Sequence, residues 1–177
     1  MAFDLIALWT LTVLNSFAII LVVRQIATLP KYNRPPGPRA GSVFGDWELT
    51  TLGGDKRLSK QMPSQYVMLM AAERCAPCHA LLAQLVHGGR PEGHFVIAGD
   101  GDPVVLSRAA STPAGPIYDE YLDGADAAFL QRFDIVSTPY ALAIKHGRVV
   151  ASGPARTPTE LQTIADILRV PGNTQSA

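Results

Sequence analysis

Two cysteines, Cys75 and Cys78, are the residues best suited to chemistry in this 177-residue chain, which contains no other cysteine. Only two residues separate them, so the pair cannot close a long structural loop. Redox chemistry, metal binding and haem attachment remain as possible roles. The pair follows an apolar run at 64–72 and precedes a helical pattern at 77–86. This order predicts a cysteine pair between a buried strand and the N-terminus of a helix.

A helix N-terminus favours a thiolate, because its first N–H groups are unpaired and its dipole is positive there. The thiolate is the attacking species in disulfide exchange. We therefore predict that Cys75, at the helix start, is the nucleophile and that the better buried Cys78 is the resolving thiol. Arg74 would add a positive charge beside the pair, while Ala76 and Pro77 would shape the first helical turn. The alternative is a pair of unreactive buried cysteines.

The residue after the pair, His79, completes a C-A-P-C-H string that also fits c-type haem attachment. A preceding buried strand is unusual for a haem-c domain, and no methionine lies downstream to serve as an axial ligand. A closed zinc site needs about four ligands, and the four histidines have no recognisable metal-binding spacing. A copper site of Cys75, Cys78 and one histidine stays open, so a copper-binding or chaperone module is the alternative function.

The elements around the cysteines predict an α/β domain. A βαβ unit is formed by the strand before the cysteines, the helix after them and a strand at 94–98. The inner side of the helix is predicted to contain Ala80, Leu81, Leu82 and Leu85. We also predict a hairpin with its turn at 53–55, a short helix at 104–110, a helix at 125–135, a hairpin turning at 146–147 and a capped helix at 157–170. The helix at 125–135 would bury Ala128, Phe129 and Phe133. Residues 99–123 are otherwise predicted to be irregular, with Tyr118 and Tyr121 as packing or loop residues. His87, His94 and His146 are predicted to lie at the surface.

The run from Leu5 to Val23 contains 19 residues without a charge, which as a helix is about 28 Å long, enough to cross a bilayer. A cleaved signal peptide is disfavoured because no basic residue precedes the run and no small-residue cleavage site follows it. We predict an uncleaved transmembrane anchor in contact with membrane lipid. The basic residues after the run would place the following domain in the cytoplasm by the positive-inside rule.

The predicted organisation is an anchor at 1–24, a juxtamembrane linker at 25–45, a folded domain at 46–171 and a frayed tail at 172–177. Lysine and arginine balance aspartate and glutamate at 15 each. With no net charge and no basic stripe, we expect no nucleic-acid partner.

Three features resemble the thioredoxin superfamily: the sequence Cys75-Ala76-Pro77-Cys78, the order of the elements, and Thr138-Pro139. The last is similar to the superfamily's cis-proline loop, which packs against the cysteines, and the residue before that proline offers backbone groups to the substrate. The resemblance implies a thioredoxin-like fold with a central mixed sheet and a thiol–disulfide oxidoreductase that acts on a protein dithiol or disulfide. It implies no cofactor and no metal, and a further protein as electron donor.

Within the superfamily, the chain resembles membrane-anchored methylamine-utilisation proteins and the reductants of cytochrome c maturation. The similarity lies in the anchor followed by VVRQIATL and in the segment TPYALAIKHGRVVASGPARTPTELQTI. It implies an extracytoplasmic domain, and we prefer this location to the one that the charges indicate. The chain departs from the family pattern at Arg74, where tryptophan is usual, and at His79, where lysine is common. It has Ala-Pro between the cysteines where the methylamine-type proteins have Pro-Val. Glu73, which we expect to face solvent, is no certain counterpart of the family's buried acid.

Overall fold

The computed structural model describes residues 2–28 and 37–170 and divides into two compact units, Met1–Pro35 and Pro36–Ala177. The first unit contains α1 (Ala2–Thr28), whose described side chains, at 9 and 11–24, are exposed. Among the residues whose side chains are described, no helix combines the length and the apolar character needed to cross a bilayer. The predicted transmembrane helix is therefore not confirmed.

The second unit is a mixed sheet with helices packed against it. Its strands are β1 (Glu48–Thr51), β2 (Lys56–Leu58), β3 (Gln65–Ala72), β4 (Phe95–Asp100), β5 (Ser111–Thr112), β6 (Gly115–Pro116), β7 (Glu120–Asp123), β8 (Tyr140–Lys145) and β9 (Arg148–Pro154). Its α-helices are α2 (Ala76–Gly88), α3 (Pro103–Ala109), α4 (Ala127–Arg132) and α5 (Pro158–Asp166). Seven strands form the main sheet in the order β2-β1-β7-β4-β3-β8-β9, while β5 and β6 form a separate ribbon.

The centre of the sheet is the predicted βαβ unit, in which α2 joins β3 to the parallel strand β4. β3 is buried on both faces, as its unbroken apolar run predicts. Its side chains alternate between two cores because successive residues of a strand point to opposite faces. Leu69 and Ala71 belong to the core that includes α2 and α5, whereas Met68 and Met70 belong to the core that includes Trp47. β3 therefore leads into the cysteine motif from a buried, interior position in the sheet.

Each α-helix of the second unit begins at a residue whose side chain accepts a hydrogen bond from a first-turn N–H: Cys75, Asp102, Asp126 and Thr157. Aspartate and threonine caps are typically worth about 1 kcal/mol each. At α5 the cap is the predicted one, because Thr157 and Glu160 form a reciprocal capping box. The α-helix ends at Asp166 and a 3₁₀ turn over Ile167–Arg169 follows it.

The prediction of irregular structure through 99–123 is wrong at β7, which pairs in parallel with β4 and antiparallel with β1. Asp119 fixes the start of this strand. Its carboxylate accepts the Phe95 N–H at 2.7 Å, its own N–H donates to the Phe95 carbonyl at 2.8 Å, and Arg90 lies 2.9 Å from the second carboxylate oxygen. The structure thus adds a strand on the side of β4 away from β3.

Part of the predicted linker belongs to the folded unit. The N–H of Gly41 donates to the Val149 carbonyl at 2.7 Å, the Val149 N–H donates to the Ser42 carbonyl at 2.9 Å, and Phe44 is buried. These residues extend the sheet beyond β9 because their backbone groups pair with it. Residues 29–36 of the predicted linker and the predicted tail at 172–177 lie outside the described residues.

Two predicted helix faces need correction. Ala80 on α2 and Ala128 on α4 are exposed, while Leu81, Leu82 and Leu85 are buried as predicted. Both alanines are small, so their apolar character says little about which side of a helix packs inward. The hairpin turn at His146-Gly147 is confirmed, with both residues at positive φ.

Candidate functional site

The candidate site lies where β3 ends and α2 begins. A turn joins them, closed by a hydrogen bond of 3.2 Å from the Cys75 N–H to the Ala72 carbonyl. The Cys75 side chain then caps the helix, with its sulfur 3.1 Å from the Cys78 N–H. Cys75 and Cys78 are joined by a disulfide bond, with their Cα atoms 5.2 Å apart. The predicted strand–helix junction is present, and it directs a helix N–H at the Cys75 sulfur.

The two cysteines differ in exposure. Cys78 has no exposed surface and belongs to the core between the sheet and α2. Cys75 is only partly buried, and its neighbours Ala76 and Pro77 are exposed. An incoming disulfide can therefore reach Cys75 but not Cys78. This asymmetry fits the predicted assignment of Cys75 as nucleophile and Cys78 as resolving thiol.

Thr138 and Pro139 lie directly beside the cysteine pair. The Thr138–Pro139 peptide bond is cis, Pro139 is buried, and the Thr138 carbonyl oxygen is 3.5 Å from the Cys75 sulfur. The approach follows from the topology: β8 starts at Tyr140 and runs antiparallel to β3, so its first residue pairs with Met70 near the end of β3. The structure thus brings together all the predicted site residues that flank the disulfide.

Glu73, before the cysteine motif, and His79, after it, contact each other through a hydrogen bond. The Nε2 atom of His79 lies 2.6 Å from the Glu73 carbonyl oxygen, and both residues are half-buried. The Glu73 carboxylate in turn accepts the Asp102 N–H at 2.9 Å. Glu73 was expected to face solvent, but it is half-buried and its carboxylate binds a backbone N–H of the loop after β4. Arg74 is exposed beside the cysteine pair.

The remaining histidines lie away from the cysteines. His87 and His146 are exposed, as predicted, whereas His94 is half-buried and its Nδ1 atom is 3.9 Å from Asp119. Within residues 2–28 and 37–170, no three histidine, cysteine, aspartate or glutamate side chains come close enough to hold a metal ion. The hypothesis of a copper site thus gains no third ligand from the part of the chain that the structure describes.

A cavity of about 570 Å³ lies at the opposite end of β3, bordered by Ser64, Tyr66 and the turn at His146. The cysteine pair follows the other end of the same strand. This cavity therefore plays no part in the site around the disulfide, where Ala76 and Pro77 are exposed.

Comparison with known proteins identifies the fold. The chain is similar to the thioredoxin domain of a thiol-disulfide oxidoreductase from Bacteroides vulgatus, with 14% identity, a TM-score of 0.55, and coverage of 73% of this chain and 97% of that one. It is similar to a secreted Mycobacterium tuberculosis disulfide oxidoreductase at 17% identity, a TM-score of 0.53 and coverage of 67% and 93%. A thio-disulfide isomerase from Thermus thermophilus matches at 20% identity, a TM-score of 0.54 and coverage of 73% and 96%.

No protein-family model and no curated protein sequence matches the chain. The structural likenesses, all at low sequence identity, show that the second unit has a thioredoxin-like fold. The resemblance predicted from the cysteine motif, the element order and Thr138-Pro139 is confirmed at that level.

Proposed function

We propose that the protein is a thiol–disulfide oxidoreductase that exchanges disulfides with other proteins through Cys75 and Cys78. The observation that carries the proposal is the asymmetric pair at the start of α2: an accessible sulfur that caps the helix, followed by a fully buried one. A helix N–H aimed at the Cys75 sulfur stabilises the thiolate that disulfide exchange requires. The three similar proteins named above are described as oxidoreductases or an isomerase of the same chemistry.

As a reductant, the protein would start with both cysteines reduced. The Cys75 thiolate attacks one sulfur of a substrate disulfide, forming a Cys75–substrate bond and releasing the other substrate sulfur as a thiolate, which takes up a proton. The Cys78 thiol loses its proton and attacks the Cys75 sulfur. The Cys75–Cys78 bond forms and the second substrate sulfur leaves as a thiolate. Two electrons pass from the protein to the substrate, and the oxidised pair is the state of the structure.

The surface around Cys75 suits a polypeptide substrate. Ala76 and Pro77 are exposed, and the Thr138 carbonyl oxygen lies against the reacting sulfur. An extended chain that carries a disulfide could place its sulfur at Cys75 while its backbone lies along the exposed residues before Pro139. The cycle closes only when a second dithiol protein reduces the Cys75–Cys78 bond, and we propose such a protein as the electron donor.

We further propose that the N-terminal segment attaches the protein to a membrane and that the thioredoxin-like unit is extracytoplasmic. The support is the uncharged run Leu5–Val23 together with the family resemblance that accompanies it. In an oxidising compartment most thiols are lost to disulfides, so a reductant held at the membrane could receive electrons from a partner that crosses it. This location is the reason for preferring the reductive direction.

Two experiments test the function. The reduced full-length protein, in detergent micelles, should reduce a glutathionylated peptide with second-order kinetics, and the Cys75→Ser variant should lose this activity. Turnover by Cys75→Ser equal to that of the native protein would contradict the mechanism. The direction follows from acid quenching and thiol trapping in growing cells: a mainly reduced pair indicates a reductant supplied with electrons, and a mainly oxidised pair indicates an oxidase.

A further inference from the structure

We propose that His79 is a positioning residue that sets the reactivity of Cys75 by holding the turn between β3 and α2. This inference rests on the proposed function, because it concerns the same cysteine pair. The contact that carries it is the 2.6 Å approach of Nε2 to the Glu73 carbonyl oxygen. A carbonyl oxygen can only accept a hydrogen bond, so Nε2 must carry the proton and the neutral ring must be the Nε2–H tautomer.

The position of His79 on the helix explains why it can reach this oxygen. Side chains of an α-helix lean towards its N-terminus, and His79 lies in the first turn, where its own N–H donates to the Cys75 carbonyl at 3.2 Å. The imidazole therefore extends back over the start of α2 to the residues that precede Cys75. His87, in the last turn of the same helix, is exposed and lies far along the helix from this turn.

The carbonyl that His79 holds belongs to the central peptide of the turn. The turn runs from Ala72 to Cys75, closed by the Cys75 N–H, with Glu73 and Arg74 as its two middle residues. The two common turn types differ in the orientation of this central peptide. A donor fixed on the Glu73 carbonyl oxygen therefore favours one orientation of the Glu73–Arg74 peptide, one residue before Cys75.

Glu73 is held from two further directions. Its N–H donates to the Asp100 carbonyl at 2.8 Å, and its carboxylate accepts the Asp102 N–H at 2.9 Å. Gly101, at a φ of +108°, lies so close that an added Cβ would be 2.6 Å from the Glu73 side chain. The loop after β4 thus fixes one side of Glu73, and His79 fixes the other. Together they leave Cys75 little freedom to depart from its capping position.

The chemical consequence is a thiolate kept at the helix N-terminus. With the turn held, the Cys75 sulfur stays 3.1 Å from the Cys78 N–H, which stabilises negative charge on the sulfur. Without the imidazole donor the turn can change its orientation, and the sulfur loses part of this contact. The thiolate is then less stabilised, and the reduced pair is more easily oxidised. Loss of one such hydrogen bond corresponds to about a three- to tenfold change in an equilibrium constant.

The test compares His79→Phe, which keeps a ring without a donor, with His79→Gln, whose amide nitrogen can replace Nε2. His87→Phe on the same helix is the matched control. The measured quantity is the equilibrium constant of the cysteine pair with reduced and oxidised glutathione at pH 7, using the full chain in micelles. We expect His79→Phe to shift this constant about three- to tenfold towards the disulfide, and His79→Gln and His87→Phe to stay within about twofold of the native value. A His79→Phe constant within twofold of native, or an equal shift in His79→Gln, would overturn the proposal.

A second measurement needs no substitution. The ¹⁵N chemical shifts of the His79 ring in the native protein should show the Nε2–H tautomer in the neutral form, and an Nδ1–H tautomer would contradict the contact. Glutathione equilibrium and tautomer are both independent of any protein substrate. A native protein that fails to reduce the glutathionylated peptide would therefore contradict the proposed function, while these two results would still decide the role of His79.

Discussion

The Cys75 sulfur lies 3.5 Å from the Thr138 carbonyl oxygen, although the two residues are 63 positions apart in the chain. The sheet produces this proximity. β8 begins beside the end of β3, so the residues just before Tyr140 lie next to the start of α2. Under the proposed function, a substrate chain bound at Cys75 would lie beside the Thr138 backbone. The proposed nucleophile and the Thr138 backbone come from separate parts of the sequence and meet at the end of β3.

The difference in exposure between the cysteines predicts different outcomes for their serine variants. Cys78→Ser should accumulate a mixed disulfide between Cys75 and a substrate, because the buried thiol that would release it is gone. Cys75→Ser should form none, since Cys78 has no exposed surface. Non-reducing gels of the full chain after incubation with a disulfide-containing peptide would measure the adduct. Equal adduct formation by both variants would mean that Cys78 is accessible.

Asp119 predicts a pH dependence of stability. Burial opposes its charged form, but the Phe95 N–H and the Arg90 guanidinium outweigh burial and hold the pKa of Asp119 below its usual value. A lowered pKa in the folded state adds stability above the unfolded pKa of about 3.9, and that stability is lost as the pH falls through the folded pKa. We therefore expect Asp119→Asn to lower the free energy of unfolding by about 1 kcal/mol at pH 7. The difference from the native protein should diminish below about pH 4.

Urea unfolding between pH 3 and 7 would measure this difference. Asp46→Asn is the control, because Asp46 pairs with Lys60 at 3.5 Å where both side chains are highly exposed. Exposed pairs of this kind contribute little. A difference between native protein and Asp119→Asn that stays constant across the pH range would show that the carboxylate charge is not responsible.

Gly99 and Tyr121 predict a pair of coupled substitutions. A Cβ at Gly99 would lie 1.8 Å from the Tyr121 hydroxyl, which is buried and has no hydrogen-bond partner among the described residues. Gly99→Ala should therefore destabilise the protein by about 1–3 kcal/mol through overpacking. Tyr121→Phe removes an unsatisfied polar group, so it should be neutral or stabilising by up to about 1 kcal/mol.

In the Tyr121→Phe background Gly99→Ala should lower the stability by less, because the hydroxyl oxygen nearest to the added Cβ is gone. Thermal unfolding of the four proteins gives the coupling energy. Gly88→Ala is the matched control: Gly88 lies in α2 with no atom near an added Cβ, and alanine there should be neutral or slightly stabilising. Fully additive effects of the two substitutions would contradict the predicted clash.

The proposed membrane attachment predicts the behaviour of the chain in cell fractions. The native protein should sediment with membranes and resist extraction at alkaline pH. Replacing Leu14 and Ile19 with arginine should release it, since each arginine at the centre of a span costs about 2.5–3.5 kcal/mol on insertion scales. Val170→Arg, at an exposed position in the second unit, is the control and should leave the fraction of protein that sediments with membranes unchanged. Extraction of the native protein by alkali would contradict the attachment.

The sequence predicted the centre of the fold because its determinants are local. The segment that forms β3 is apolar without interruption, and the cysteines follow it directly. The Thr157–Glu160 capping box can be recognised from the residue types and their spacing. β7 could not be predicted in the same way. It has only four residues, follows a stretch rich in glycine and proline, and exists because β4 and β1 offer it backbone partners.

Contacts between side chains and backbone groups of other segments could not be predicted from the sequence either. His79 was recognisable only as a neighbour of Cys78, and nothing in its position predicted that its ring would turn back to Glu73 O. The Glu73 carboxylate accepts the Asp102 N–H because of the path of the loop after β4, and the sequence pattern predicted no regular structure for that loop. Thr138 and Pro139 were predicted as site residues from family resemblance, whereas their distance from Cys75 follows from sheet topology.

The pairing of residues 41–44 with β9 determines how a soluble fragment of this protein should be cut. A fragment that begins at residue 46, the predicted start of the domain, would remove the backbone groups that cover Val149 and would leave an open sheet edge. Open edges pair readily with a second chain and promote aggregation. A fragment that begins at Gly37 or earlier keeps this edge covered, and Phe44 keeps its place in the core against Phe133.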